Sequence, residues 1–344
     1  MSSSTLSEAY RDHPLHLHHI IPIDFNSLRS VPESHLWPNS DDLSLSSSDN
    51  ELSVPVIDLE DPKVTQLLGH ACEKWGVFQL INHGIPSNLL KEAESQARRL
   101  FSLPARQKLK ALRAPGGATG YGIARITPFF DKYMWHEGFT IMGSPLEHAK
   151  ELWPNYNHGR FCDVMETYQK KMKILAERLK KLIFKSLDIS DQEDINWTGS
   201  STALQLNSYP SCPDPNRALG LAPHTDTSLL TILHQSAVSG LQIFKEGVGW
   251  ISVQPVAGAL VVNIGDLLHI LSNARFPNVL HRVFVNQNWH RLSMAYFYSP
   301  PTDFNVVPIV KSGQVSRYQS VTVKEFISLK AKSLEKALSS IENI

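Results

Sequence analysis

Three residues in the second half of the chain have the types and the spacing of a metal site. His224 and Asp226 lie two positions apart in His224-Thr225-Asp226, and His281 lies farther along the chain. In an extended segment, residues i and i+2 point to the same side, so one imidazole and one carboxylate would converge on one point. Two histidines and one carboxylate form the triad that binds iron(II) and leaves coordination positions open. We therefore predict an iron(II) site at His224, Asp226 and His281.

A cation and two hydroxyls accompany this triad. Arg291-Leu292-Ser293 is the only Arg-x-Ser segment in the sequence, and its first and third residues would face the same cavity. A planar guanidinium binds a carboxylate through two parallel hydrogen bonds, and a hydroxyl adds another donor. Tyr209 would add a second hydroxyl, because it shares the polar face of its strand with Gln205 and Asn207. We expect Arg291, Ser293 and Tyr209 to bind the far carboxylate of a dicarboxylate co-substrate, with Arg291 also acting as a catalytic residue.

Each of these signals has a structural alternative. A buried histidine is often a hydrogen-bonded polar group rather than a ligand, and Arg291 could form an ion pair at the end of a strand. A zinc hydrolase can also use two histidines and one aspartate. An iron(II) enzyme of the kind predicted here would use O₂ and a dicarboxylate co-substrate. A zinc hydrolase would need neither Arg291 nor Ser293, and it would work without O₂.

Two apolar patterns surround the candidate residues. Helical spacing predicts helices over residues 62–75, 86–103 and about 161–187, with a further helix at 322–341. Strands are predicted at 54–59 and 76–82, and the glycine-rich stretch 116–122 is predicted to be a loop. After residue 197, short apolar runs recur between turn residues, which is typical of a sandwich or barrel. These runs are 203–209, 229–234, 241–244, 250–253, 259–264, 279–285 and 292–298.

Composition excludes several other classes of protein. The chain has 344 residues, of which 42% are hydrophobic, as in ordinary globular proteins. Its Lys+Arg and Asp+Glu counts are both 33, so no net charge attracts it to nucleic acid or to an anionic membrane. We find neither a secretory signal nor a membrane span in the sequence. The three widely spaced cysteines fit no disulfide or zinc pattern, so a cytoplasmic protein is expected.

Several segments carry a family resemblance. Residues 207–212, 224–226, 263–266, 281–283 and 291–293, together with the upstream stretch 75–84, resemble the plant 2-oxoglutarate- and iron(II)-dependent dioxygenases. This resemblance covers most of residues 54–340. Residues 120–126, 129–130, 134–141, 203–209 and 265–273 are similar to the gibberellin 3-beta-dioxygenases (gibberellin 3-oxidases). His136 is a departure, because a serine is expected there in that subfamily.

The resemblance implies an α+β fold. Its core would be a double-stranded β-helix, or jelly roll, with helical amino-terminal support and a carboxy-terminal helix. We expect five regions in the chain. They are an irregular extension (1–53), an amino-terminal dioxygenase domain (54–150), a long linking helix (151–198), the iron and 2-oxoglutarate jelly roll (199–301), and a carboxy-terminal tail and helix (302–344).

The resemblance also implies an activity, namely 3β-hydroxylation of gibberellin precursors with Fe(II), 2-oxoglutarate and O₂, with ascorbate as reductant. In this family pattern His224, Asp226 and His281 hold Fe(II), while Arg291 and Ser293, helped by Tyr209, hold 2-oxoglutarate. The alternatives are a gibberellin 2-oxidase or 20-oxidase, a related plant dioxygenase, or a non-catalytic jelly roll that binds a small molecule. Arg125 and Lys132 are candidate cations for a substrate carboxylate. No oligomeric state is predicted.

Overall fold

The computed structural model describes residues 5–38, 52–155, 158–187, 197 and 199–343. Residues 39–51 of the predicted extension, and 188–196 and 198 of the predicted linking segment, lie outside the described residues. The helices of the described part are α1 (Leu6–Ala9), α2 (Val64–Lys74), α3 (Ser87–Phe101), α4 (Ala105–Lys108), α5 (Leu146–Leu152), α6 (Gly159–Ser186), α7 (Asp266–Leu271), α8 (Val323–Ser333) and α9 (Lys336–Ser339).

The strands of the described part form two large sheets and one short pair. They are β1 (Val56–Asp58), β2 (Val77–Ile81), β3 (Gly120–Gly122), β4 (Glu137–Ile141), β5 (Ser201–Tyr209), β6 (Leu219–His224), β7 (Leu230–Gln235), β8 (Leu241–Lys245), β9 (Gly249–Ser252), β10 (Leu260–Ile264), β11 (His281–Phe284), β12 (Arg291–Ser299), β13 (Asn305–Val306) and β14 (Val321–Thr322). The larger sheet has the order β1-β2-β10-β7-β12-β5-β4-β3, and the smaller one β6-β11-β8-β9.

The two faces of the larger sheet contact different parts of the molecule, because side chains along each strand point alternately to one face and the other. On β5, Leu204 and Leu206 belong to the core cluster that also contains residues of α2, α3 and α6. Tyr209 belongs instead to the cluster that joins the larger sheet to β8 and β11 of the smaller sheet. Because side chains alternate between the two faces of a strand, one face packs on helices and the other faces the opposite sheet. The predicted α+β jelly roll is confirmed.

The larger sheet includes strands from the predicted amino-terminal domain. Strand β2 pairs antiparallel with β10, and β4 pairs antiparallel with β5. Main-chain hydrogen bonds are therefore continuous between residues 54–150 and 199–301. The division of the chain into five regions stays a prediction, and the sheet shows that residues 54–150 and 199–301 share one scaffold.

The prediction of a loop over residues 116–122 is wrong in its second half. Gly120–Gly122 is the edge strand β3, whose partner is β4. Gly120 has a φ of +105°, and a Cβ there would lie 2.6 Å from the Ala111 carbonyl oxygen. The strand is held by main-chain pairing, which leaves no periodic side-chain pattern in the sequence.

The carboxy-terminal helix is also shorter than predicted. Residues 322–341 form α8 and α9 instead of one helix, since Leu334 has a φ of +43° and interrupts the hydrogen-bond ladder. Helix α8 begins with a capping box, in which Thr322 and Glu325 bind each other's main-chain N–H groups. The long helix predicted over about 161–187 is α6, which spans Gly159–Ser186. Among the described residues, no helix combines the length and the apolarity of a membrane crossing.

Candidate metal and co-substrate site

Strand pairing brings the three predicted metal ligands together. His224 is the last residue of β6, and His281 is the first residue of β11. The two are direct partners in the antiparallel register, and their ring centres lie 4.2 Å apart. Asp226 follows two residues after the end of β6, so its side chain returns toward the same point.

The distances within the triad suit a single metal ion. The Oδ1 atom of Asp226 lies 3.7 Å from Nε2 of His224 and 3.8 Å from Nε2 of His281. One ligand atom from each residue lies within 4.8 Å of the others. In the part of the chain that the structure describes, no other group of three His, Cys, Asp or Glu side chains is this close.

Hydrogen bonds fix the orientation and the tautomer of both histidines. Nδ1 of His224 donates to the Ala222 carbonyl at 2.8 Å, and Nδ1 of His281 donates to the Val279 carbonyl at 3.0 Å. Because a carbonyl oxygen only accepts, Nδ1 carries the proton in each ring. Each Nε2 therefore presents a lone pair toward Asp226, as a metal ligand must. Burial, reinforced by the neighbouring His281, lowers the pKa of His224 to about 3, which keeps it neutral near pH 7.

Asp226 uses only one of its two carboxylate oxygens for protein contacts. Its Oδ2 accepts from the Thr231 hydroxyl at 2.6 Å and from the Asn263 amide at 2.9 Å. Burial by itself would raise the pKa of Asp226, but the two imidazoles and these two hydrogen bonds together lower it. The carboxylate is therefore ionised, and Oδ1 stays free to bind a cation. Two imidazole nitrogens and one carboxylate oxygen fit iron(II).

Arg291, Ser293 and Tyr209 meet on the neighbouring strands β12 and β5. Arg291 is the direct partner of Tyr209 in the register, and Ser293 is the partner of Asn207. The guanidinium carbon of Arg291 lies 5.1 Å from the centre of the Tyr209 ring. The sequence prediction that these three side chains share one face agrees with this arrangement, because all of them line one cavity.

The Arg291 guanidinium has unused hydrogen-bond donors. Its side chain is buried, with 1% of its surface exposed. Nη2 donates to Oε1 of Gln235 at 2.9 Å, whereas Nε and Nη1 have no partner among the described residues. A buried cation with two unpaired donors is costly unless an anion binds there. The arrangement suits the carboxylate of a bound molecule.

One cavity of about 410 Å³ contains both sets of residues. The metal triad lines it, and so do Tyr209, Arg291 and Ser293, with a mostly apolar remainder. This volume lies in the range of pockets that enclose small organic molecules. A metal ion, a dicarboxylate and a further apolar molecule could therefore meet in one mostly apolar cavity.

Sequence reasoning missed several residues of this site. Thr231 and Asn263 received no role, although a polar Asn263 in the apolar run 259–264 was a signal of a buried hydrogen bond. Leu6, Tyr10 and His13, from the region predicted to be an irregular extension, line the cavity. Of the two candidate cations, Arg125 lines the cavity. Lys132 does not, and its ammonium donates to the Glu33 carbonyl at 3.0 Å.

Comparison with protein families identifies two regions of the chain. Residues 200–300 match the 2OG-Fe(II) oxygenase superfamily. Residues 54–158 match the region described as "non-haem dioxygenase in morphine synthesis N-terminal". The first match contains all the residues of the predicted metal and co-substrate sites.

Curated relatives match nearly the whole chain. Gibberellin 3-beta-dioxygenase 1 of Pisum sativum is 53% identical, over 98% of this chain and 93% of the relative. Gibberellin 3-beta-dioxygenase 1 of Arabidopsis thaliana is 47% identical, over 98% of both chains. The alignments thus cover nearly all of this chain and of each relative.

Solved structures share the fold. The crystal structure of JOX2 in complex with 2OG, Fe and JA has a TM-score of 0.79 at 28% identity, covering 92% of this chain and 95% of that one. The rice dioxygenase for auxin oxidation has a TM-score of 0.69 at 26% identity, covering 85% of this chain and 100% of that one. With the family match and relatives that align over nearly the whole chain, the chain belongs to the 2OG-Fe(II) oxygenase superfamily and, within it, to the gibberellin 3-beta-dioxygenases.

Proposed function

We propose that this enzyme hydroxylates carbon 3 of gibberellin precursors in the β configuration, consuming 2-oxoglutarate and O₂ and releasing succinate and CO₂. The observation that carries the proposal is one cavity that contains both a triad of two histidines and one aspartate and an arginine with two unpaired hydrogen-bond donors. The relatives named gibberellin 3-beta-dioxygenase support the choice of substrate and position.

Each site residue has a proposed role. Nε2 of His224, Nε2 of His281 and Oδ1 of Asp226 would hold Fe(II), because these three atoms are free of other hydrogen bonds toward the cavity. When bound, iron(II) supplies the activation of O₂ that is coupled to oxidative decarboxylation of 2-oxoglutarate. The protein positions the substrate and excludes water from the reacting carbon, which is what the mostly apolar lining provides.

Arg291 is proposed to anchor 2-oxoglutarate by its far carboxylate, with Ser293 and Tyr209 adding hydroxyl groups. The unpaired Nε and Nη1 of Arg291 can donate to two carboxylate oxygens in parallel. Burial of Arg291 strengthens this ion pair, because little water competes for the guanidinium.

Ascorbate is proposed as the reductant that keeps the iron in the Fe(II) state. The cytoplasm is proposed as the location of the enzyme.

Replacing Arg291 by glutamine tests this role. We expect Arg291→Gln to raise the KM for 2-oxoglutarate by about 10- to 100-fold, since a hydrogen bond to a charged group contributes about 1.5–3 kcal/mol. The KM for the gibberellin should change little. Arg217→Gln, at an exposed position in the turn before β6, is the matched control. Equal effects of Arg291→Gln on both constants would contradict a role limited to 2-oxoglutarate.

The reaction itself is tested with purified protein, Fe(II), 2-oxoglutarate, ascorbate and labelled gibberellin precursors, with products read by mass spectrometry. The expected result is a 3β-hydroxylated product that requires both O₂ and 2-oxoglutarate, with a lower yield when ascorbate is omitted. Hydroxylation at carbon 2, or oxidation at carbon 20, would reassign the enzyme among the gibberellin oxidases. Binding of the precursor without any oxygen-dependent product would indicate a non-catalytic jelly roll.

A further inference from the structure

Two arginines line the cavity on either side of the edge strand β3. Arg113 lies before this strand and Arg125 after it, and both contribute to the wall of the cavity that contains the metal triad. Arg113 is 3% exposed. Its Nη2 donates to the Ile123 carbonyl at 3.0 Å, while its Nε has no hydrogen-bond partner among the described residues. Arg113 thus has the same unusual feature as Arg291, a buried guanidinium with an unused donor.

Arg125 is held beside Arg113 by neutral contacts. Its Nη1 donates to the Gly117 carbonyl at 2.7 Å, and the Tyr10 ring packs against its guanidinium at 4.3 Å. Among the described residues, no carboxylate forms an ion pair with either arginine. Burial, reinforced by Arg125, lowers the pKa of Arg113 to about 9, so the guanidinium is still charged near pH 7.

Two neighbouring cations without an anion, one buried and one half-buried, are unfavourable in the free protein. Desolvation removes the hydration of each guanidinium, and the two positive charges repel each other. Such an arrangement stabilises a bound anion, because the cations are already desolvated and in place before the anion binds. Arg113, with its unpaired Nε, lines a pocket whose other walls are mostly apolar.

The amino-terminal segment closes this part of the wall. The Ile123 N–H donates to the Ile20 carbonyl at 2.8 Å, and the Leu15 N–H donates to the Pro115 carbonyl at 2.9 Å. These bonds hold the first described residues against the loop that carries both arginines, and they place Tyr10 over Arg125. A ligand that reaches Arg113 is therefore enclosed by residues from the start of the chain.

We propose that Arg113 and Arg125 form a second carboxylate site, which binds the carboxylate of the substrate while Arg291 binds 2-oxoglutarate. The ligand class is a carboxylic acid on an apolar polycyclic skeleton, because the site combines two cations with apolar walls. The inference rests on the proposed function, in which such an acid is the substrate. Arg113 supplies the unpaired donor, and Arg125, held by Tyr10, adds the second charge.

Binding of an acid and its methyl ester tests the proposal directly. The full-length protein is loaded with Fe(II) and 2-oxoglutarate without O₂, and each ligand is titrated by calorimetry. The probes are a gibberellin precursor and abietic acid, each with its methyl ester. We expect the wild-type protein to bind the acids about 10- to 100-fold more tightly than the esters, as charged hydrogen bonds would give. In Arg113→Met this preference should fall to about 1- to 3-fold, with affinity for the esters unchanged.

Two further variants separate recognition from folding. Arg125→Met, at a less buried position, should also reduce the preference for the acid. Arg11→Met makes the same chemical change at an exposed position near Tyr10 and should leave the preference intact. Affinity for 2-oxoglutarate should be the same in all three variants. An undiminished preference in both Arg113→Met and Arg125→Met would overturn the proposal. Failure of the gibberellin to bind, with Arg113-dependent binding of abietic acid, would instead overturn the proposed substrate and uphold the carboxylate site.

Discussion

The two carboxylate oxygens of Asp226 have different roles, one in hydrogen bonds within the protein and the other in the metal site. Its Oδ2 atom accepts two hydrogen bonds, from Thr231 and Asn263, and its Oδ1 atom faces the two histidines. The two donors fix the plane of the carboxylate before a metal binds. Orientation of a ligand by such outer contacts typically changes metal affinity 10- to 100-fold.

Asn263→Ala should therefore weaken binding of Fe(II) by roughly 10-fold or more, because Asp226 loses one of the two donors that orient it. The measurement is an anaerobic titration of Fe(II) into the metal-free protein, followed by calorimetry. Asn288→Ala, at an exposed position after β11, is the matched control and should have no effect. Unchanged affinity in Asn263→Ala would mean that Thr231 alone suffices to orient Asp226.

Residue spacing alone predicted which four candidate side chains share a face in pairs, and contacts between distant strands bring the others to the cavity. His224 and Asp226, like Arg291 and Ser293, were predicted to share a face because they lie two positions apart. Nothing local connects Asn263 with Asp226, since β10 carries one and the segment after β6 the other. Arg113 lies outside any periodic pattern, so its place in the cavity follows only from the pairing of β3.

At the scale of elements, the turn from β10 into α7 is hydrogen-bonded to the segment that carries the metal ligand Asp226. The Asp266 N–H donates to the Asp226 carbonyl at 2.7 Å, so this turn is bonded to a metal ligand through the main chain. Gly265 forms the turn. A Cβ at this position would lie 2.0 Å from the Ser228 carbonyl oxygen and 3.0 Å from that of Asp226. Both contacts are with backbone, which cannot move aside as a flexible side chain can.

Gly265→Ala is expected to destabilise the protein by about 3 kcal/mol or more, because overpacking against backbone forces strands to shift. The free energy of unfolding in urea gives the measurement, made on the metal-free protein. Gly159→Ala, at the start of α6 where a Cβ would meet nothing within 4 Å, is the control and should be neutral or slightly stabilising. Equal stability of the two variants would show that the turn can relax.

Helices and core strands were predictable from the sequence because each buries a periodic apolar face. The seven apolar runs after residue 197 correspond to β5 and β7–β12, and the predicted long helix corresponds to α6. The failures have a common physical cause. Strand β3 depends on main-chain pairing with β4, the interruption at Leu334 is a local change in main-chain conformation, and neither leaves a pattern of side chains.

At the scale of the whole molecule, both ends of the chain meet at the cavity. His13 contacts Ser328 of α8 at 2.9 Å, which joins the amino-terminal segment to the carboxy-terminal helix. From the same helix, the Lys330 ammonium reaches the Thr225 hydroxyl, between the first two metal ligands, and Oδ2 of Asp266 at 2.7 Å. The regions predicted as an extension and a tail are thus part of the site. Sequence reasoning could not place them, because their roles depend on contacts between residues far apart in the chain.

The Lys330–Asp266 ion pair leads to a prediction about how the tail supports the site. Both side chains are buried, and the other oxygen of Asp266 accepts from the Asn278 amide at 2.7 Å. Removing only the cation leaves a buried carboxylate uncompensated, which typically costs about 3–5 kcal/mol. Lys330→Met should lower the free energy of unfolding by that amount and weaken Fe(II) binding, since Thr225 and the turn at Asp266 lose their common partner.

A set of variants separates the charge from the packing of α8. Lys332→Met, exposed on the same helix, should change the free energy of unfolding by less than about 0.5 kcal/mol. Adding Asp266→Asn to Lys330→Met removes the uncompensated charge, so the double variant should be more stable than Lys330→Met alone. Unfolding in urea and anaerobic Fe(II) titration are measured for each protein. If the double variant is no more stable than the single one, α8 supports the metal site through packing, and the Lys330–Asp266 ion pair is not what connects this helix to the metal ligands.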